Sequence, residues 1–466
     1  MRPGLRGQAS TLTVSVIAGT FGVALLQFTG LLSAAIRADP VAGASPHTVP
    51  MLLDLAAISF IVLALYVSGV VTSNTVATVV AGRTRQIALL RLIGSSAGAE
   101  RTRIAREGLL VGILGALAGA VIGTAAAALV GRIAVAAGLF HPYSYSFAAP
   151  IIVVPVVAVA LTTWLAAWVG SRRVLDVRPI EALSNSTERN MPEIAQKRGR
   201  HKLAMGLVIA GVVFLALGVV AGLKFPPAVL LGLIGGLLSF TGIVFAADRV
   251  IPPVLKVVGR VIGTSHPARI AAENALRYPE RSSRMTVGLV IGVTLVTTFA
   301  VTMRTFETML AIGARNDPQQ YNGLGPIISG VVTVFSVLIG FSALIAAVGL
   351  VNTLSLSVLQ RTRELGLMRA LGFTRRQLGA MILAEAAALT ITATVVGLVL
   401  GFVYGWIGAQ SMLGGVKGHP GLVLPQIPWT TVLIVVVAAA ALTLVAAFTP
   451  SRRATRISPV TALAVE

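Results

Sequence analysis

The sequence predicts an all-α polytopic membrane protein, and three observations carry that prediction. Of its 466 residues 56% are hydrophobic and 11% charged, far from a soluble globular mix. Apolar stretches of about 20 residues, enough to cross a hydrocarbon core roughly 30 Å thick, recur along the chain. One charged pattern appears twice: NTVATVVAGRTRQIALLRLIG from Asn74 to Gly94 returns 278 residues later as NTLSLSVLQRTRELGLMRALG from Asn352 to Gly372, with nine of 21 positions identical and no gap.

The apolar stretches lie near residues 11–33, 53–81, 108–137, 151–170, 203–223, 228–247, 285–305, 326–358, 384–410 and 429–449, about ten spans in all. An even number returns both termini to one side. With that side cytoplasmic, 31 of the 37 Lys and Arg fall in cytoplasmic segments, and only Arg37, Arg132, Lys224, Arg304, Arg315 and Lys417 lie opposite. The positive-inside rule fixes this orientation. The net charge of +21 therefore reflects topology rather than a nucleic-acid partner, because the basic residues flank lipid spans instead of lining a soluble face. Cysteine is absent, and His47, His141, His201, His266 and His419 are scattered, reading as loop or interface residues with no metal-ligand spacing. The apolar run behind Arg2 and Arg6 reads as a retained first span rather than a cleaved signal, since the matching span at 285–305 opens a second repeat deep in the chain.

The duplication extends past the elbow. Glu107 and Glu385 share the 278-residue offset, while Ser171, Arg172, Arg173, Pro179, Ala182 and Leu183 match Ser451, Arg452, Arg453, Pro459, Ala462 and Leu463 at 280. That difference of two places the only net length change in the second outer loop and last span. The expected organisation is a first four-span unit over 1–183, a linker with a two-span hairpin over 184–284, and a second four-span unit over 285–466, the two units being parallel repeats. Gly119 and Gly123 in the third span align with Gly397 and Gly401 in the ninth, and small residues four apart let helix backbones approach closely. A Gly-rich chain makes such pairs by chance; the matched register favours packing.

Each elbow is expected to continue its span as an amphipathic helix. In the second, Leu365, Met368 and Leu371 share one side while Arg361 and Glu364 can pair on another. Gly94 and Gly372 suit a C′ stop. Thr374 with Gln377 fits a capping box for the next helix, whereas Ser96 has no Glu or Gln three residues on. Glu107 and Glu385 then fall near the membrane surface, where a carboxylate needs a cation such as Arg106 or Arg375. A basic patch that only sets orientation and binds anionic lipid would need charge count, not a repeated order of residues.

RTRELGLMRALGFTRRQLGAMILAE from Arg361 to Glu385, RTRQIALLRLIG from Arg83, and the tails SRRVLDVRPIEAL and SRRATRISPVTAL resemble the FtsX-like, or MacB-type, permeases of ATP-binding-cassette systems, in their ten-span branch. The resemblance implies that the elbows are coupling helices docking on ATPase subunits, through Arg83, Arg85, Gln86, Arg91 and Gly94 in the first unit and Arg361, Arg363, Glu364, Arg369 and Gly372 in the second. No GxxxxGK[ST] loop occurs, so ATP and Mg are expected in a partner and no cofactor or catalytic residue in this chain. Two elbows imply two ABC ATPase subunits per permease chain, with membrane lipid as the surroundings and a further membrane or envelope partner left open. Gln86 against Glu364 makes the second elbow the expected stronger contact.

The outer segments are all under about 20 residues, so no large extracytoplasmic domain is expected, and ionisable residues within the spans are nearly absent, which disfavours an ion path. The sequence therefore reads as a non-enzymatic permease of the bacterial plasma membrane, exporting a hydrophobic or amphipathic compound. A mechanotransmitting regulator that moves no substrate is the alternative.

Overall fold

The computed structural model describes residues 9–38, 48–82, 84–136, 150–175, 198–262, 273, 276–277, 279–316, 340, 372–415 and 421–456. Among them the architecture is helical: α1 (Ala9–Ala38), α2 (Thr48–Gly82), α3 (Thr84–Leu92), α4 (Ala97–Ala136), α5 (Val153–Gly170), α6 (Arg198–Gly222), α7 (Val229–Phe245), α8 (Ala247–Ile262), α9 (Pro279–Asn316), α10 (Arg375–Leu413) and α11 (Trp429–Arg456). Seven of these, α1, α4, α5, α6, α7, α9 and α10, are long and apolar enough to span a bilayer; shorter apolar runs cover Ile61–Ala77 in α2 and Trp429–Ala441 in α11. The expected span at 326–358 lies outside the described residues. The chain is a multi-pass membrane protein.

Burial orders the helices. In the apolar stretch of α9 83% is buried and in that of α1 67%, whereas α4 and α6 reach only 28% and 22% and turn Leu114, Val121, Ile209 and Val220 outward. The opening helix of each half therefore lies inside and the later ones face lipid. Lipid tails are as apolar as leucine, so the helices associate through close packing and hydrogen bonds rather than hydrophobic transfer.

Glycine supplies the packing. A Cβ placed on Gly119 of α4 would lie 2.5 Å from Thr20 N and 2.6 Å from Val16 O of α1, and one on Gly123 would lie 2.7 Å from Thr20 O. On α10, Gly397 meets Val293 and Thr294 of α9, and Gly401 meets Thr294 and Thr297. A third glycine extends each ladder, Gly115 against Ser15 and Gly405 against Thr298 and Val301. These contacts correct one expectation. They pair Thr20 with Thr294, an offset of 274 rather than 278, so from this point to the elbow asparagine the second half runs 58 residues (294 to 352) against 54 (20 to 74). A second length change, of four residues, precedes the elbow.

Hydroxyls add polar ties, each worth about 0.6 kcal/mol on average in a membrane. Ser15 and Thr163 join α1 to α5 at 3.2 Å, and Thr443 donates to Thr390 at 2.7 Å to join α11 to α10. The hairpin of α6 and α7 turns through Lys224–Pro227 as the Pro pair dictates, its faces matched by Gly211, Gly218, Gly235 and Gly242. His201, expected in a loop or interface, is a buried helix residue of α6 with Nε2 3.5 Å from Asp248 Oδ1.

Candidate docking site at the elbows

The first elbow is described over nine residues as the helix α3, set between α2 and α4. Its inner face is short: Ile87 and Ala88, 6% and 0% exposed, pack on Val76 and Val80 of α2, Ala167 of α5 and Val174, with Ala97 and Ile104 of α4 beside them. Its outer face carries Leu89 (49% exposed), Leu92 (50%) and Ile93 (82%), with Arg91 in the last turn, where a cation complements the helix dipole. The apolar stripe is thus split. The expected amphipathic face would have turned the residue matching Leu371 inward, yet that residue, Ile93 in the turn after α3, is the most exposed large apolar residue among those described. Contiguous exposed apolar residues beside a cation mark an interaction surface.

Gly94 ends the elbow at φ 102°, where an L side chain is strained, and its N–H donates to Arg91 O at 3.2 Å while Ser95 N–H donates to Leu90 O at 2.9 Å. These two bonds form a Schellman stop. Gly372 has the matching φ of 98°. The next helix restarts at once. Ser96 Oγ accepts from Ala99 N–H at 3.1 Å, and Ser95 Oγ donates to Glu100 Oε1 at 3.0 Å, so an acid one position late contributes to the restart. After Gly372 the capping box is complete: Thr374 Oγ1 accepts from Gln377 N–H at 3.2 Å and Thr374 N–H donates to Gln377 Oε1 at 2.9 Å.

Glu107 is paired with Arg103, one turn back at 3.3 Å, and Arg103 also approaches Glu100 at 3.5 Å. Glu385 is buried, 7% exposed. The side chains of Arg85 and Gln86 and all of Arg83, Arg361, Arg363, Glu364 and Arg369 lie outside the described residues, as does Arg375's side chain.

Sequence reasoning missed a latch. Arg101, early in α4, sets its guanidinium 3.7 Å from the centre of the Trp168 ring and donates Nε and Nη2 to the Trp168 carbonyl at 3.2 and 3.1 Å. Ser171 donates to the same oxygen at 3.1 Å, and Arg172 lies 5.8 Å from the ring on the tail side. Two arginines at the carbonyl end of α5 satisfy an orphan acceptor and the dipole together. Sixty-seven residues separate Arg101 from Trp168, so no local pattern announces the contact. Elbow, α4, α5 and tail thereby form one packed unit.

A family model of the FtsX-like permease C-terminal region matches residues 58–179 and 336–459. The chain belongs to the FtsX-like permease family. The two matched segments begin 278 residues apart (336 less 58) and end 280 apart (459 less 179), the same offsets that separate the elbows and the tails. Among curated relatives, an uncharacterized ABC transporter permease, YknZ of Bacillus subtilis, is 28% identical over 144 residues, 31% of this chain and 34% of that protein. The macrolide export ATP-binding/permease protein MacB of Rhodopirellula baltica is 30% identical over 143 residues, 31% of this chain and 20% of its own length. The pyoverdine export ATP-binding/permease protein PvdT of Pseudomonas fluorescens is 31% identical over 129 residues, 27% and 18%. The chain thus aligns with about a third or less of each relative. This FtsX-like permease is of the MacB type.

Proposed function

We propose that this chain is the permease subunit of an ATP-binding-cassette exporter of the bacterial plasma membrane, with both termini cytoplasmic and an ATPase subunit docked on each elbow. The observation that carries the reading is the first elbow itself: a short helix fixed on one face by Ile87 and Ala88, free on the other at Leu89, Leu92 and Ile93, and joined through a Schellman stop to α4. A helix so held transmits a push. α4 lies against α1 through Gly115, Gly119 and Gly123, so closure of two ATPases on ATP and Mg would move the opening helix of each half as a rigid body across the bilayer. Arg83, Arg85, Gln86, Arg91 and Gly94, with Arg361, Arg363, Glu364, Arg369 and Gly372, form the two docking sites. The relatives named as export proteins support transport over regulation, and the lipid-facing helices suit a hydrophobic or amphipathic compound reaching the spans laterally.

Co-purification of the chain with candidate ATPase subunits tests this. Combined charge reversal at Arg361, Arg363 and Arg369 is expected to weaken ATPase binding by about tenfold or more, equivalent to about 1.4 kcal/mol; Leu89→Asp with Ile93→Asp should do likewise at the first elbow, to a smaller extent. A complex that survives both sets with its ATP hydrolysis still coupled would refute docking through the elbows.

A further inference from the structure

Inside the bundle, where α2, α6, α7, α9 and α10 meet, lies a cavity of about 140 Å³ that the elbow mechanism leaves unused. Its wall brings together tyrosines from both halves. Tyr66 of α2 and Tyr404 of α10 flank Phe240 of α7, with ring centroids 6.2 and 6.4 Å away and edge-to-face orientation. Tyr66 stands 18 residues into a helix of 35, about 25 Å from either end, so the ring is deep in the bilayer.

Hydrogen counting gives the site its polarity. The Thr241 hydroxyl has one hydrogen and donates it to Leu237 O at 2.6 Å, so in the 2.7 Å contact between Tyr66 and Thr241 the tyrosine must be the donor. Ser239 likewise donates to Gly235 O at 2.8 Å, which makes Tyr404 the donor in its 2.9 Å contact with Ser239. Both phenolic protons are committed and both phenolic oxygens keep lone pairs. Thr294 also lines the cavity, but its hydroxyl oxygen is itself buried, so the acceptors offered there are the two tyrosine oxygens. None of the lining residues is charged, so an ion would meet no counter-charge there. An apolar cavity of about 150 Å³ suffices for benzene.

We propose that this cavity binds a neutral, membrane-dissolved molecule that buries one ring or a short alkyl segment beside Phe240 and donates a hydroxyl or amide hydrogen to the oxygen of Tyr66 or Tyr404. The site deepens the export reading by naming a substrate class, and rests on that reading only for the occupant's fate. Binding is therefore measured on the full permease chain without any ATPase, so that loss of the cavity site and loss of elbow docking are separate results.

The chain in lipid nanodiscs is photolabelled with a trifluoromethyl-diazirine phenol and, in parallel, with its methyl ether, which lacks the donor hydrogen. Labelled peptides are quantified against the lipid-facing residues 114–121 of α4. The phenol should label the cavity segments of α7 and α9 about tenfold above that background, as a preference of about 1.4 kcal/mol gives. Gly236→Leu decides the matter: Gly236 lines the cavity and a Cβ there meets nothing within 4 Å, so a leucine starts in open space and, by occupying it, should return labelling to background. Tyr66→Phe with Tyr404→Phe should lower labelling by the phenol and leave that by the ether unchanged. Equal labelling by phenol and ether in the unaltered chain, or labelling that persists in Gly236→Leu, would overturn the site and leave bilayer partition as the whole effect.

Discussion

After the first elbow α4 begins with Glu100, Arg101, Arg103 and Glu107; 278 residues on, α10 places Leu378, Gly379, Met381 and Glu385 at the matching positions. The first start is held by charge. Arg103 bridges two glutamates and Arg101 reaches across to Trp168. The second is held by a capping box and by burial, with Leu378 and Met381 0% and 2% exposed. The same contrast recurs in the membrane, where Gly112 lets Thr163 against the α4 backbone while the matching Thr390 bonds the matching Thr443 by side chain. Similar geometry is thus reached by different chemistry, and the two halves should respond differently to equivalent changes.

The largest difference is expected at the glycine ladders. A methyl on Gly119 would press on backbone N and O of α1 at 2.5 and 2.6 Å, whereas at Gly397 its nearest atoms belong to the Val293 side chain at 2.7 Å. Both contacts require the helices to part, because rotation of Val293 moves its Cγ1 but not its Cβ; at Gly397, however, the nearest backbone atom is 3.2 Å away rather than 2.5 Å. Overpacking costs about 1–3 kcal/mol and sometimes more, and Gly119→Ala, which meets three backbone atoms under 3 Å, should sit at or above the top of that range with Gly397→Ala lower within it. Thermal unfolding of the purified protein in detergent measures the two, and equal losses would remove the distinction.

The latch gives the next effect, confined to the first half because Gly379 stands where Arg101 does. Arg101→Ala removes a cation–π contact and two hydrogen bonds to the Trp168 carbonyl, at a cost of about 1–2 kcal/mol. Arg101→Lys keeps the charge at the carbonyl end of α5 but not the planar fork, and should recover about half. Hydrogen exchange over residues 97–104 should quicken in Arg101→Ala and change little around 375–382. Exchange rising in both places would mean a general loosening.

What the sequence made legible follows from range. Spans, glycine register, the Gly94 and Gly372 stops and the Thr374–Gln377 box each depend on residues within a turn or two, and each can be read from spacing. The latch spans 67 residues, and the exposure of Ile93 follows from the packing of α3 through Ile87 and Ala88 against α2 and α5, which leaves its far side uncovered. Which face of a short helix its neighbours cover is a tertiary property. Likewise the four-residue change lies between residues 294 and 352, where no motif repeats the first half to set the register, and it is the contacts of Gly397 and Gly401 that reveal it.

The smallest test separates the two restarts at the level of one hydroxyl. Thr374 accepts from Gln377 N–H while its own N–H donates to Gln377 Oε1, so Thr374→Ala removes the hydroxyl half of the reciprocal pair and should cost about 1 kcal/mol. Ser96 accepts from Ala99 N–H only, and after Ser96→Ala the Ser95–Glu100 bond, the Arg103 bridge and the Arg101 latch still hold the first turn of α4. Ser96→Ala should therefore cost a few tenths of a kcal/mol, and only when Arg101→Ala is added should it approach the loss seen at Thr374. Amide exchange in the first turns of α4 and α10 reads this directly. Were Ser96→Ala alone to open α4 as far as Thr374→Ala opens α10, the charged network would contribute nothing that the cap does not, and the contrast between the halves would reduce to sequence.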